Sequence, residues 1–94
     1  MEQIQKYPLI KGLFESQDAK TVLINLFSSK INFHGLAAFG IEERTGEKSP
    51  MHTKRSVELK KSLNKILKVI DSAEKKGMLL KITCDVNIKL KPNK

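Results

Sequence analysis

The chain is 94 residues long, 39% apolar and 30% charged, which suits one small domain and leaves too little for a second core. A single cysteine, Cys84, excludes an internal disulfide, and no apolar run approaches the roughly 20 residues of a membrane span. The formal net charge of +8 sits in the C-terminal half: residues 1–47 hold five basic and six acidic side chains, residues 48–94 thirteen and four. That asymmetry bears on partners and solubility, not on fold.

In chain order, Met1 to Lys6 lacks the apolar core of a secretory signal, and with one cysteine the expected compartment is the reducing cytoplasm. Residues 1–19 form an N-terminal arm or short helix, with Tyr7 to Phe14 as its packed part and Ser16-Gln17-Asp18 closing it. Residues 20–34 fit two patterns. As a strand, Leu23, Phe27, Ile31 and Phe33 share one side and Ser28, Lys30, Asn32 and His34 the other; as a helix, Val22, Leu23, Leu26, Phe27 and Ile31 make a stripe. The abundance of Thr, Val, Ile, Phe, Asn and Ser decides for the strand, because few of these are good helix formers. His34-Gly35 then breaks the chain, Leu36-Ala37-Ala38 makes a short helical turn, and residues 39–44 form a second strand with Phe39 and Ile41 inward. Thr45 to Pro50 is a loop by its turn residues.

The C-terminal half is more sharply patterned. Over residues 53–76, Leu59, Leu63, Ile66, Leu67, Ile70 and Ala73 recur three and four apart, the stripe of an amphipathic helix. Gly77 stops it, and Lys75 and Lys76 lie in the last turn, where they complement the helix dipole. Its start is either Thr53 as N-cap, or Ser49 as N-cap with Pro50 in the first turn. From residue 78 to 90, Met78, Leu80, Ile82, Cys84, Val86, Ile88 and Leu90 alternate with Lys81, Thr83, Asp85, Asn87 and Lys89 after Leu79. Such period-two alternation marks a strand with one side on the core, ended by Pro92.

These elements add up to a single α+β domain over residues 1–94, a small, mainly antiparallel sheet of about three strands with one long amphipathic helix on one face. A strand over 78–90 would span about 43 Å, whereas a compact chain of this size is only about 30 Å across. That mismatch makes a homo-oligomer or a protein partner an expected outcome.

No catalytic or cofactor motif occurs: there is no GxGxxG, P-loop, HExxH or CxxC, and no cofactor is expected. Cys84 falls in the apolar register of the last strand and reads as a buried, inert residue. Glu42 and Glu43, neighbours on a strand, would point to opposite sides and could not share acid–base work. His34 and His52 are the only histidines and show no metal-ligand spacing. Phe33-His34-Gly35-Leu36-Ala37-Ala38 resembles the phosphohistidine segment of the phosphocarrier protein of the sugar phosphotransferase system, which implies His34 as phosphoryl acceptor. Leu36 stands where that family has Arg and the match covers six residues of 94, so the segment is read as a chance likeness.

The helix carries the one pattern with functional content. Opposite its apolar stripe lie Lys54, Lys61, Lys65, Lys68 and Lys75, with Glu58 and Asp71 on the flanks and Asp71 placed to pair with Lys75. Lys81, Lys89 and Lys91 add charge on the outward side of the following strand. A lysine ridge suits a phosphate backbone, although the same residues also serve simple solubility. With two arginines and no aromatic on the helix, backbone contacts without base readout are expected. The expected function is a non-enzymatic binding or accessory module for nucleic acid or another polyanion. The alternative is a structural subunit of a homo-oligomer, and a more distant one a small enzyme or phosphocarrier using His34.

Overall fold

A computed structural model describes residues 4–93. The element order is strand, helix, helix, strand: β1 (Ile4–Phe14), α1 (Ser16–Thr45), α2 (Pro50–Lys76) and β2 (Leu80–Lys89). β1 and β2 pair antiparallel as a two-stranded ribbon, so the α+β class stands, with two strands and two helices among the described residues in place of about three strands and one helix. The helices form an antiparallel hairpin over the short loop 46–49. Among the described residues no helix is long and apolar enough to cross a membrane.

The largest correction concerns residues 20–34 and 39–44, both expected as strands. Each lies inside α1, a helix of 30 residues and roughly 45 Å, and Leu36-Ala37-Ala38 is part of it and not a separate turn. The helical stripe Leu23, Phe27 and Ile31 turns toward α2 and is half-buried, while Leu26 and Phe33 stay exposed on another side. Packing on α2 therefore overrode the modest helix propensity of the segment. Gly46, in the left-handed region at φ 74°, ends α1 and donates its N–H to the Glu42 carbonyl at 2.8 Å.

Helix α2 covers the expected 53–76 and begins one turn earlier, at Pro50, with Ser49 at the N-cap. The Ser49 carbonyl accepts the Thr53 N–H at 3.2 Å, and proline occupies a position whose N–H has no helical partner. Gly77, at φ 65°, closes α2 in a Schellman motif: its N–H reaches the Glu74 carbonyl at 3.2 Å, and the Met78 N–H reaches the Ala73 carbonyl at 2.9 Å. That turn delays the last strand, which starts at Leu80 rather than 78 and stops at Lys89.

Of the N-terminal segment, expected as an arm or short helix over 1–19, Ile4–Phe14 is strand β1, and Ser16-Gln17-Asp18, expected to close the arm, form the first turn of α1; residues 1–3 lie outside the described residues. Its pairing with β2 runs from Ile4 opposite Lys89 to Phe14 opposite Leu80, with an irregularity between Pro8 and Ile10 that leaves Leu9 unpaired. The bulge changes which residues share a side. Tyr7, Ile10, Gly12 and Phe14 oppose Val86, Cys84, Ile82 and Leu80 on the apolar side, while Lys6, Pro8, Lys11 and Leu13 oppose Asn87, Asp85, Thr83 and Lys81 on the polar one. Cys84, expected to be buried, is half-buried on the apolar side.

The core is small. Among the described residues the buried apolar side chains are Ile10, Ala19, Leu59, Ile70 and Ala73, and Ile70 is the one large side chain that is fully enclosed. The helices pack chiefly on each other. The sheet was expected to lie under a covering helix, but the ribbon meets the hairpin through its inner half alone, where Leu9 and Ile10 share a groove with Val22, Asn25, Leu26 and Ser29 of α1. The extents of 50 × 37 × 15 Å describe a flat body, and the radius of gyration of 17.0 Å exceeds the roughly 12 Å of a compact chain this long.

Candidate polyanion-binding face

Because Leu59, Ile66, Ile70 and Ala73 of α2 turn inward, the residues half a turn away are forced outward. Lys54, Lys61, Lys65, Lys68 and Lys75 are all exposed, on the side of α2 turned away from its buried stripe. At 1.5 Å per residue the ridge runs about 32 Å from Lys54 to Lys75, with Lys61, Lys65 and Lys68 spaced by rises of about 6 and about 4.5 Å along its middle. Exposed Val57 lies among them and supplies no charge.

Ion pairing leaves this ridge open. Asp71, expected to pair with Lys75, instead meets Lys20 of α1 at 3.7 Å across the helix hairpin. Glu58 pairs with Arg55 three residues before it, at 3.2 Å. Among the described residues none of the five ridge lysines has a carboxylate partner. Repulsion along such a row is partly screened by salt and falls when phosphates displace the counterions. Lys81 and Lys89 occupy the polar side of the ribbon, and Lys91 follows β2.

A second cluster, not foreseen as a unit, lies where the helices cross near the 46–49 loop. The Nδ1 atoms of His34 and His52 are 2.9 Å apart, and the Phe33 ring stands edge-on to both. A bond between two Nδ1 atoms requires one to carry the proton and the other to be bare, so the pair holds with at least one neutral imidazole. His34 is 8% exposed; its Nε2 is buried without a partner, and its Nδ1 is engaged by His52. Burial, reinforced by the positive charges of Lys30, His52 and Arg55, lowers the His34 pKa below its ordinary value of 6.5. In the phosphocarrier-like segment His34 would stand at a strand end and cap a helix; here it lies deep inside α1. Only the spacing of 18 residues across a helical hairpin could have signalled the pair, and that signal depended on recognising α1 as a helix.

Chemically, the ridge offers point charges without shape, and the histidine pair offers a closed hydrogen bond. Among the described residues no three His, Cys, Asp or Glu side chains gather at one point. Compared with known families, characterised proteins and solved structures, the chain matches none. What the fold and site define is a strand–helix–helix–strand protein with a lysine-lined helix.

Proposed function

We propose that the protein is a non-enzymatic binding module whose α2 ridge holds the phosphate backbone of a nucleic acid. The observation that carries this reading is that Lys54, Lys61, Lys65, Lys68 and Lys75 are all exposed in one row, with no carboxylate partner among the described residues. Lysine is a point charge on a flexible stem, suited to phosphates and poorly suited to bidentate base recognition. The ridge therefore binds duplexes of unrelated sequence with similar affinity.

A fluorescence-anisotropy titration of a labelled duplex at 50, 100 and 200 mM salt tests this. Four phosphates neutralised by Lys61, Lys65, Lys68 and Lys75 give a slope of log affinity against log salt of roughly −3.6. Replacing Lys65 and Lys68 together by Gln makes that slope shallower by about two, while circular dichroism stays unchanged because both side chains point away from the core. Absence of binding at 50 mM salt, or a slope indifferent to the double change, refutes the reading and leaves the lysines as a solubility device.

A further inference from the structure

The exposed surface is too large for a self-sufficient chain. A compact monomer of 10.6 kDa exposes about 5,500 Å², and this one exposes 7825 Å². The excess, roughly 2,300 Å², is of the size each subunit of an obligate dimer hides, since such interfaces bury some 2,000–5,000 Å² in total. The short axis of 15 Å is about half the breadth of a compact chain this long, so the missing depth has a direction.

Exposed apolar residues occur on both helices and on both sides of the ribbon, but on the ribbon's apolar side they form a continuous, uncharged stretch. On the apolar side of the ribbon, Ile10 is buried and Ile82 and Cys84 are half-buried, all toward the helices. Further out along the same side, Tyr7, Val86 and Ile88 are 52%, 38% and 47% exposed. A two-stranded ribbon with one apolar side uncovered is marginal in water and needs further strands or a covering layer.

We propose that a second copy of this chain covers this side, two ribbons packing apolar face to apolar face about a two-fold axis. The charge pattern selects the occupant. From Gln5 to Phe14 opposite Leu80 to Ile88, the paired residues of this side are uncharged, so two chains of net charge +8 meet there with no like charges opposed. A self-complementary patch of this kind is what an isologous contact requires, and two-fold dimers are the commonest closed assembly. The polar side of the ribbon carries Lys6, Lys11, Lys81 and Lys89 against one carboxylate, Asp85, which is paired with Lys6, so it is net positive and would oppose like charges in the same arrangement.

Sedimentation equilibrium of the full chain, combined with thermal unfolding at several protein concentrations, tests the proposal. The expected mass is twice 10.6 kDa, and the unfolding midpoint rises by about 4 °C for each tenfold increase in concentration. Ile88→Asp abolishes the dimer mass, whether the variant stays folded as a monomer or unfolds at concentrations where the parent is folded. Asn87→Asp, on the polar side of the same strand, leaves mass and midpoint unchanged. Tyr7 is the only tyrosine in a chain without tryptophan, so its emission reports the contact directly and shifts on dilution through dissociation. A monomer mass up to millimolar concentration with a concentration-independent midpoint overturns the proposal, as does a dimer that survives Ile88→Asp.

Discussion

Ile70 is the point at which the stability of this chain is most concentrated. At 1% exposure it is the one fully enclosed large side chain among the described residues, held on the stripe of α2 that faces α1. Ile70→Ala removes three carbons, worth about 0.8 kcal/mol each in transfer alone, or about 2.4 kcal/mol. A cavity between two long helices closes only partly, which brings the expected loss to about 3–4 kcal/mol. A chain this short holds about 5–14 kcal/mol in all, so one truncation takes about a fifth to four-fifths of it. Ile70→Val, which removes one carbon, costs about 1 kcal/mol. Val57→Ala on the exposed lysine side of α2 stays within about 0.5 kcal/mol. Urea unfolding followed by helical circular dichroism, at one fixed protein concentration, separates the three. A loss below about 1 kcal/mol for Ile70→Ala, or one equal to that of Val57→Ala, would show that the helix hairpin is not the stability core.

Two further outcomes follow from α1. Gly35 lies inside that helix, and a Cβ built on it meets no atom within 4 Å, so Gly35→Ala should stabilise by up to about 1 kcal/mol and raise the melting midpoint by about 4–8 °C; a lower midpoint would refute the open space. Because the folded state holds the His34 pKa below 6.5, the unfolded chain binds the proton more readily: stability is full above pH 6.5 and falls as pH drops below it toward the folded value. Melting midpoints between pH 7.5 and 5.5 should therefore decline and the decline should flatten in His34→Gln, whereas a midpoint that rises as pH falls would refute the argument.

The parts of the fold that could be read in advance are those whose pattern answers to one neighbour. Helix α2 has one buried stripe, so Leu59, Ile66, Ile70 and Ala73 spell out its period and the lysines opposite them follow. β2 alternates without interruption because its apolar side faces one way throughout. α1 shows no such contrast: Leu23, Phe27 and Ile31 face α2 while Leu26, Phe33, Leu36 and Phe39 lie on other sides, and apolar residues all round erase the period. Its β-branched residues favour a strand locally and its Asn and Ser disfavour a helix, against packing that local propensity does not contain. β1 was hidden by its bulge, because Leu9 places Tyr7 and Ile10 on the same side three residues apart and breaks the alternation that identifies a strand. The ridge lysines could be named from sequence because exposure needs only the helix period. The His34–His52 pair could not, since it exists only once two helices are folded against each other.

The ribbon joins the two most distant parts of the chain. Phe14 sits opposite Leu80, and everything between them is the helical hairpin. During synthesis β1 emerges first and waits, its apolar side open, until β2 has been made. The helices shorten that wait in space though not in time. Once α1 and α2 have zipped together, Ser16 and Lys76 stand near each other, and most of the entropy of closing so long a loop has already been spent. The ribbon is then a clasp, an element that can close only where the hairpin has brought the two ends of its long loop together.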